Sequence, residues 1–477
     1  MTTDHNGSLV NGAWITQGNV FKNINPAKPL EVIGDFLTAS DTAITDAFAA
    51  AERALKSWRQ TPAPVRSDYL LKIAERIEVR ADRIGHDMAL EEGKTYAEAK
   101  GEASGSAAQF RFAAAMALQP DGATVQARDQ KTALLLSRVE PLGVVVCITP
   151  WNFPISIPAW KIAHAIAFGN TVVWKPAELT PLTSIHLAEA IEEAGLPAGV
   201  VNMLLGHGSE IGQKVLSDSR IAGLSFTGSN TVGRQLGVAM AQRGIPTQLE
   251  LGGSNSSIVL SDANLDIASR EIANGAYLSA GQKCTATTRV IVESKVCSEV
   301  IDRLQVFAST WKVGDPFDSD SVLGPVASRS QFDRLVERLA PIKDFQVVAA
   351  KEMNPDNGYF INPRLYKGLD QSNNIFATEI FGPVICVIEA ESYEDCLQVA
   401  NNTEFGLSSS IFTTDMDKAL NFSSESESGV VKINKSTTGN EIHVPFGGHK
   451  QSGSGTSEMG WAAKEFFTRW KTVYFGK

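Results

Sequence analysis

Apolar positions recur with helical spacing through the first third of the chain. Ala47, Ala51, Ala54 and Leu55 follow Ser40 and Asp41, a capping residue and a first-turn acid, which predicts a helix from there to about Trp58. Leu70, Ile73, Ile77, Ile84 and Met88 keep close to a 3.6-residue period and predict one helical stretch over 65–92. The Ala-rich run at 102–118 predicts another.

The texture then changes to short apolar runs. Two of them, 134–139 and 144–148, are separated by Pro141-Leu142-Gly143 and read as strands joined by a turn. Strand and helix signals alternate from there: strands at 171–174, 200–205 and 221–226, helices starting at Thr180-Pro181 and ending at Gly195, then at 209–216 and 231–242. Such alternation with short connections implies βαβ units and a parallel sheet, an α/β fold. Gly252-Gly253 breaks the pattern, and a second alternating region runs from 258 to about 430. The aromatic tail 466–475 is strand-prone; an isolated strand is not stable alone, so it is expected to join another sheet, in this chain or another subunit.

Composition narrows the function classes. A chain of 477 residues with 43% hydrophobic content supports two or three cored domains. A net charge of -10 without a basic stripe argues against nucleic acid as a partner. The five cysteines are widely spaced with no C-x-x-C pair, which suggests neither a zinc ribbon nor a redox dithiol, and His443 and His449 form no ligand pattern. The start, Met1-Thr2-Thr3-Asp4-His5, is polar with no apolar segment behind it, and no run is long enough to span a bilayer, so a cytoplasmic protein is expected.

Within this frame a few segments carry chemistry. Two strand-to-helix turns, Gly206-His207-Gly208-Ser209-Glu210-Ile211-Gly212 and Thr227-Gly228-Ser229-Asn230-Thr231-Val232-Gly233, are candidate phosphate sites. In the second, Gly228 lets the backbone approach a phosphate and Ser229 caps a helix whose N–H groups face it. Lys175 and Glu178 follow a strand; both can bond ribose hydroxyls, and the carboxylate would repel a 2′-phosphate, favouring NAD⁺ over NADP⁺. Cys284, in Gly281-Gln282-Lys283-Cys284-Thr285, lies in a loop of small residues beside a lysine that is expected to lower its pKa. Glu250, at a strand end before two glycines, is a candidate general base expected to face a crevice. Asn152, between Pro150 and Pro154, is a candidate oxyanion donor together with the Cys284 N–H, and Glu379 a candidate clamp on a ribose. Taken singly, each also fits an ordinary turn residue, surface charge or core cysteine.

Together these segments resemble the aldehyde dehydrogenase superfamily over nearly the whole chain. The matching stretches are 150–154, 175–178, 226–229, 250–253, 281–284, 379–383 and 445–448, in the family's order. The resemblance implies Cys284 as nucleophile, Glu250 as base and Asn152 as oxyanion donor. It implies cofactor binding by Trp151, Lys175, Glu178, Gly208, Gly212, Thr227, Gly228, Ser229, Gly233, Leu251, Glu379 and Phe381. It further implies a Rossmann-like NAD(P)-binding domain (1–121 and 141–250), a catalytic α/β domain (251–430) and a small β oligomerisation arm (122–140 and 455–477), assembled as a homodimer or homotetramer. Glu458 receives no role, because Thr456-Ser457-Glu458 departs from the family's pattern there. The sequence Lys283-Cys284-Thr285-Ala286-Thr287 looks more like the α-ketoglutarate semialdehyde branch than the broad aliphatic one.

The reaction this implies is attack of the Cys284 thiolate on an aldehyde, oxidation to a thioester, and hydrolysis with Glu250 as base. Phe153, Trp160 and Phe446 are candidates for the substrate tunnel, and Lys283 or Lys435 for a cation that meets a distal carboxylate. Two other enzymes stay open: a CoA-acylating relative, which would tend to lack the Glu250 carboxylate, and a non-redox cysteine hydrolase, which would place a histidine beside Cys284.

Overall fold

The computed structural model describes residues 5–347, 355–369, 373, 375 and 378–477; the polar start at 1–4 lies outside them. Ser40 caps the helix Asp41–Trp58, its side chain accepting from the Ala43 N–H, and Ala47, Phe48 and Ala51 on the inward face are fully buried. The stretch at 65–92 is two helices, Ala63–Val79 and Ala81–Glu92, because the backbone leaves helical geometry at Arg80 (φ -102°, ψ 4°). The hydrophobic period runs through that break, since both helices pack within one core on Tyr96–Ala117, the helix whose start the Ala-rich run placed six residues late.

Val144–Ile148 is the centre of an eight-stranded sheet. Thr171–Lys175 and Val201–Met203 extend it on one side and Ile221–Thr227 and Thr247–Glu250 on the other, all parallel. The chain therefore reverses its direction of winding between Val144–Ile148 and Ile221–Thr227. That is the switch point of an open α/β sheet, where the strands' carboxyl ends leave a crevice. The preceding strand, Thr132–Pro141, does not form a hairpin with Val144–Ile148. It pairs antiparallel with Gly122–Val125 and with the tail strand Thr468–Gly476 in a separate three-stranded sheet. The turn at 141–143 thus passes the chain between sheets.

The tail strand begins at Thr468; before it, Gly453–Ser454 adds to the edge of the first sheet and Ala462–Phe467 packs on Ser156–Ala167, so 455–467 belongs with the first sheet's layer and the arm strand is shorter than expected. A second, all-parallel sheet of six strands carries the other core, in the order Arg364–Lys367, Val384–Ala390, Thr287–Glu293, Asn255–Val259, Ser408–Phe412, Val430–Ile433. Both sheets are covered by helices on their two faces, as buried parallel strands require. Glu250 ends a strand of the first sheet, and the loop at 281–286 enters a strand of the second. The carboxyl edge of one sheet thereby meets the amino edge of the other. No helix among the described residues is long and apolar enough to cross a membrane.

Candidate active site

The loop before Thr287–Glu293 is held from three sides. Asn255 Nδ2 donates to the carbonyls of Cys284 and Ala286, both at 2.8 Å. Asn152 Nδ2 donates to the Gln282 carbonyl at 2.9 Å, and Thr437 Oγ1 to the Thr285 carbonyl at 2.7 Å. Ser279 (φ 56°) and Ala280 (φ 52°) sit in left-handed conformations just upstream, a strain of order 1–3 kcal/mol each that only a surrounding network can hold. Gly281 (φ 67°) follows, with the Gly382 carbonyl where a side chain would begin.

Cys284 lies on the wall between two cavities. One, toward the first sheet's switch point, is lined by Trp151, Asn152, Thr227, Gly228, Ser229 and Leu251, with Glu379 and Phe381 opposite. The other, about 430 Å³, is lined by Phe153, Trp160 and Phe446 and reaches Glu250 and Lys283. Ile157, Thr227, Leu251 and Cys284 border both. No histidine lines either cavity among the described residues, so the partner a cysteine hydrolase needs is not beside the thiol.

The first cavity has the features of a dinucleotide groove. Ser229 caps Asn230–Gln242, accepting from the Val232 N–H at 3.4 Å, and the helix's free N–H groups face the crevice. A Cβ on Gly252 would come within 2.5 Å of Glu379 Oε2, and one on Gly228 within 2.6 Å of the Phe226 ring. The buried Thr227 Oγ1 has no protein partner. Trp151 meets Phe381 edge to face, with centroids 5.5 Å apart. Glu379, whose Oε1 accepts from the Gly253 N–H at 3.2 Å, is pushed up to about 7 by burial.

One strand over, Lys175 Nζ bonds Glu178 Oε2 at 3.2 Å, and a Cβ on Gly208 would lie 3.8 Å from the same ammonium. Burial raises the Glu178 carboxyl, but Lys175, a backbone N–H and His207 together lower it more, so the net shift is downward and Glu178 is ionised near neutrality. Two expected cofactor glycines line neither cavity. Gly212 lies in open space on the helix Gly208–Ser217. Gly233 makes room for Leu251, whose other side borders both cavities.

The catalytic candidates also depart from expectation. The Cys284 thiol is pushed up, first by burial and then by the charges of Glu379 and Glu250; Lys283 is not among the groups that move it. Glu250 is only 4% exposed, and its Oε2 has no hydrogen-bond partner. Burial and the neighbouring Glu458 carboxylate hold it well above the carboxylate range, against Lys161 and the Gly448 N–H. A strand-end acid before two glycines is here a lined cavity wall rather than a solvated tip.

The residues missed by sequence reasoning are Glu458, Lys161 and Lys94. Glu458 is buried, ion-paired with Lys161 and bonded by Trp160 Nε1 at 2.7 Å. Lys161 also donates to Ser225 Oγ at 2.8 Å. Lys94 donates to the Asn152 carbonyl at 2.9 Å, pairs with Glu102 at 2.5 Å and lies 4.6 Å from the centre of the Phe153 ring. Apart from Lys94 with Glu102, these contacts join parts of the chain 58 to 298 residues apart, which no local pattern shows. Lys435, a candidate cation for a distal carboxylate, is exposed and lines neither cavity.

Comparison with known proteins gives a consistent picture. The profile described as "Aldehyde dehydrogenase family" matches residues 14–473. The chain is 39% identical to the alpha-ketoglutaric semialdehyde dehydrogenase of Bacillus subtilis, over 98% of this chain and 97% of that one. It is 39% identical to the 2,5-dioxopentanoate dehydrogenase of Saccharolobus solfataricus, over 97% and 98%. Among solved structures, an NAD-dependent aldehyde dehydrogenase from Sinorhizobium meliloti superposes with a TM-score of 0.95 at 32% identity, covering 99% of this chain and 95% of that one. Betaine aldehyde dehydrogenase from Staphylococcus aureus, in complex with NAD⁺, gives 0.94 at 31%, covering 98% and 95%.

Proposed function

The chain belongs to the aldehyde dehydrogenase family, and from that premise we propose that it is an NAD(P)⁺-dependent enzyme oxidising a semialdehyde with a distal carboxylate, α-ketoglutarate semialdehyde foremost, through a Cys284 thioester. The observation that carries this reading is the position of Cys284 on the wall shared by the dinucleotide-shaped groove and the cavity that holds Glu250. The names of the two relatives at 39% identity point to the substrate.

In this reading Trp151, Gly228, Ser229, Lys175, Glu178 and Glu379 would hold the cofactor, the last three through its ribose hydroxyls. Bound there, the nicotinamide would supply the hydride acceptor for oxidation at the aldehyde carbon. Cys284 gives up its proton to solvent and attacks the aldehyde carbon as the thiolate. One Asn152 N–H is fixed on the Gln282 carbonyl, which leaves the other for the developing oxyanion beside the Cys284 N–H. Glu250, without a partner on Oε2, takes a proton from the water that cleaves the thioester. The presence of that carboxylate favours water over CoA as the acyl acceptor. The three-stranded sheet, with Trp470 70% and Tyr474 67% exposed, suits a subunit-pairing arm.

The test is NAD(P)H formation across carboxylate-bearing semialdehydes, uncharged aliphatic aldehydes and aromatic aldehydes. The highest kcat/KM is expected with the first group; equal or better turnover of the uncharged ones would overturn the substrate assignment. Asn152→Ala is expected to lower kcat by ~10²–10³ through loss of an oxyanion donor. Glu178→Ala is expected to raise kcat/KM with NADP⁺ relative to NAD⁺, because an ionised carboxylate no longer faces the 2′-phosphate. An unchanged ratio would move the ribose contact elsewhere.

A further inference from the structure

Five charged side chains line the cavity beyond Cys284, and four of them are accounted for. Glu102 accepts from Lys94 at 2.5 Å and from the N–H groups of Ile155 and Ser156 at 3.2 and 3.1 Å. Glu98 accepts from Ser279 Oγ at 2.8 Å and from Thr95 Oγ1 at 3.1 Å. Lys94 is spent on Glu102, Glu92 and the Asn152 carbonyl, and Glu250 is the base. The Lys283 ammonium makes no hydrogen bond and no ion pair among the described residues, although the residue lines the cavity next to the nucleophile. Leaving a partly buried ammonium without a counter-ion is costly, and its pKa moves down through burial, only partly offset by Glu98.

A second group points the same way. Gln109 is 4% exposed and lines the same cavity, and its carboxamide makes no hydrogen bond among the described residues, so its Nε2 N–H is free to donate. It shares one face of Tyr96–Ala117 with Glu98, Glu102 and Gly105, at helical spacing. Side chains on Gly101 and Gly105 would meet nothing within 4 Å, so this face leaves room for a ligand chain. A cation and a carboxamide, both unsatisfied inside a cavity that ends at a nucleophile, match an aldehyde whose far end is a carboxylate.

We propose that Lys283 is the counter-ion for the distal carboxylate of the substrate, with the Gln109 Nε2 N–H as a second donor to it, so that these two residues set the preference for acid semialdehydes. This rests on the semialdehyde reading above and sharpens it: the lysine beside the nucleophile selects the substrate rather than activating the thiol. An incoming carboxylate would restore the ammonium's ordinary basicity and offset its desolvation.

The experiment compares succinate semialdehyde and 2,5-dioxopentanoate with butanal and pentanal, as kcat/KM ratios, in wild type, Lys283→Met, Lys283→Arg and Gln109→Ala. The ratio of acid to neutral aldehyde is expected to fall about 30-fold or more in Lys283→Met, mostly through KM, as when one partner of a buried charge pair is removed. Lys283→Arg should recover part of it, and Gln109→Ala should show a smaller fall. Glutarate should protect Cys284 from iodoacetamide in the wild type and lose that effect in Lys283→Met. A wild type without preference for acid semialdehydes would sink both this proposal and the substrate reading. A wild-type preference that Lys283→Met keeps would sink this proposal alone. So would an equal fall for acid and neutral aldehydes accompanied by a shifted pH profile of Cys284 alkylation, which would make the lysine a thiol activator.

Discussion

Cys284→Ala is expected to abolish NAD(P)H formation, with kcat down at least about 10⁴-fold, while dinucleotide affinity stays within a few-fold of wild type. Removing a covalent nucleophile eliminates the reaction path and leaves only positioning, which sets the scale of the loss. The loop should survive the change, because Asn255, Asn152 and Thr437 hold it through main-chain carbonyls rather than through the sulfur. Calorimetry with NAD⁺ separates loss of chemistry from loss of fold. The same thiol has a pH signature. Burial and the nearby carboxylates push it up in the free chain, so iodoacetamide labelling should be slow at neutral pH and accelerate into the alkaline range. Cys147 and Cys386 are fully buried inside strands, out of the reagent's reach, and should label far more slowly. Turnover retained by the alanine variant would remove Cys284 from the mechanism.

What the sequence shows and what it hides divide by range. The cap at Ser40 and the winding of strands and helices from 144 to 242 are local patterns that the structure forms, and it brings Trp151, Thr227, Gly228 and Ser229 to one cavity at the carboxyl end of the first sheet. The helix break at Arg80 was hidden because both helices bury their apolar residues in one core. The electrostatics of the nucleophile were misread for a related reason. Lys283 is Cys284's neighbour in the chain, yet the charges that move the thiol come from Glu379 and Glu250, on separate elements. Glu458 is the clearest case. Its motif context is uninformative, and its meaning comes from Lys161 and Trp160, almost 300 residues upstream, in the layer beside Glu250. Adjacency in sequence suggested chemistry for Lys283 that the fold does not give, while the fold gives Glu458 a place that adjacency could not.

Glu250→Gln is expected to cut the steady-state rate by ~10²–10⁴ while leaving a rapid burst of about one NAD(P)H per active site. The burst reports thioester formation, which needs Cys284 and Asn152; the steady state reports hydrolysis, which needs a base. The pH dependence follows from the direction of the shift. Burial and Glu458 raise the folded carboxyl well above its usual range, so at low pH it is protonated and cannot accept a proton. Wild-type kcat should therefore climb with pH through a value far above that of an ordinary glutamate, wherever hydrolysis limits the rate. Glutamine does not titrate, so that limb should vanish from kcat. The alkaline rise of kcat/KM belongs to the thiol and should persist, displaced toward lower pH, because Glu250 is one of the two charges holding the thiol up. Stopped-flow absorbance gives the burst, and parallel pH profiles of kcat and kcat/KM give the two limbs. A glutamine variant whose steady state and kcat profile both match the wild type would assign the base to another group, and one lacking the burst as well would place Glu250 ahead of the thioester.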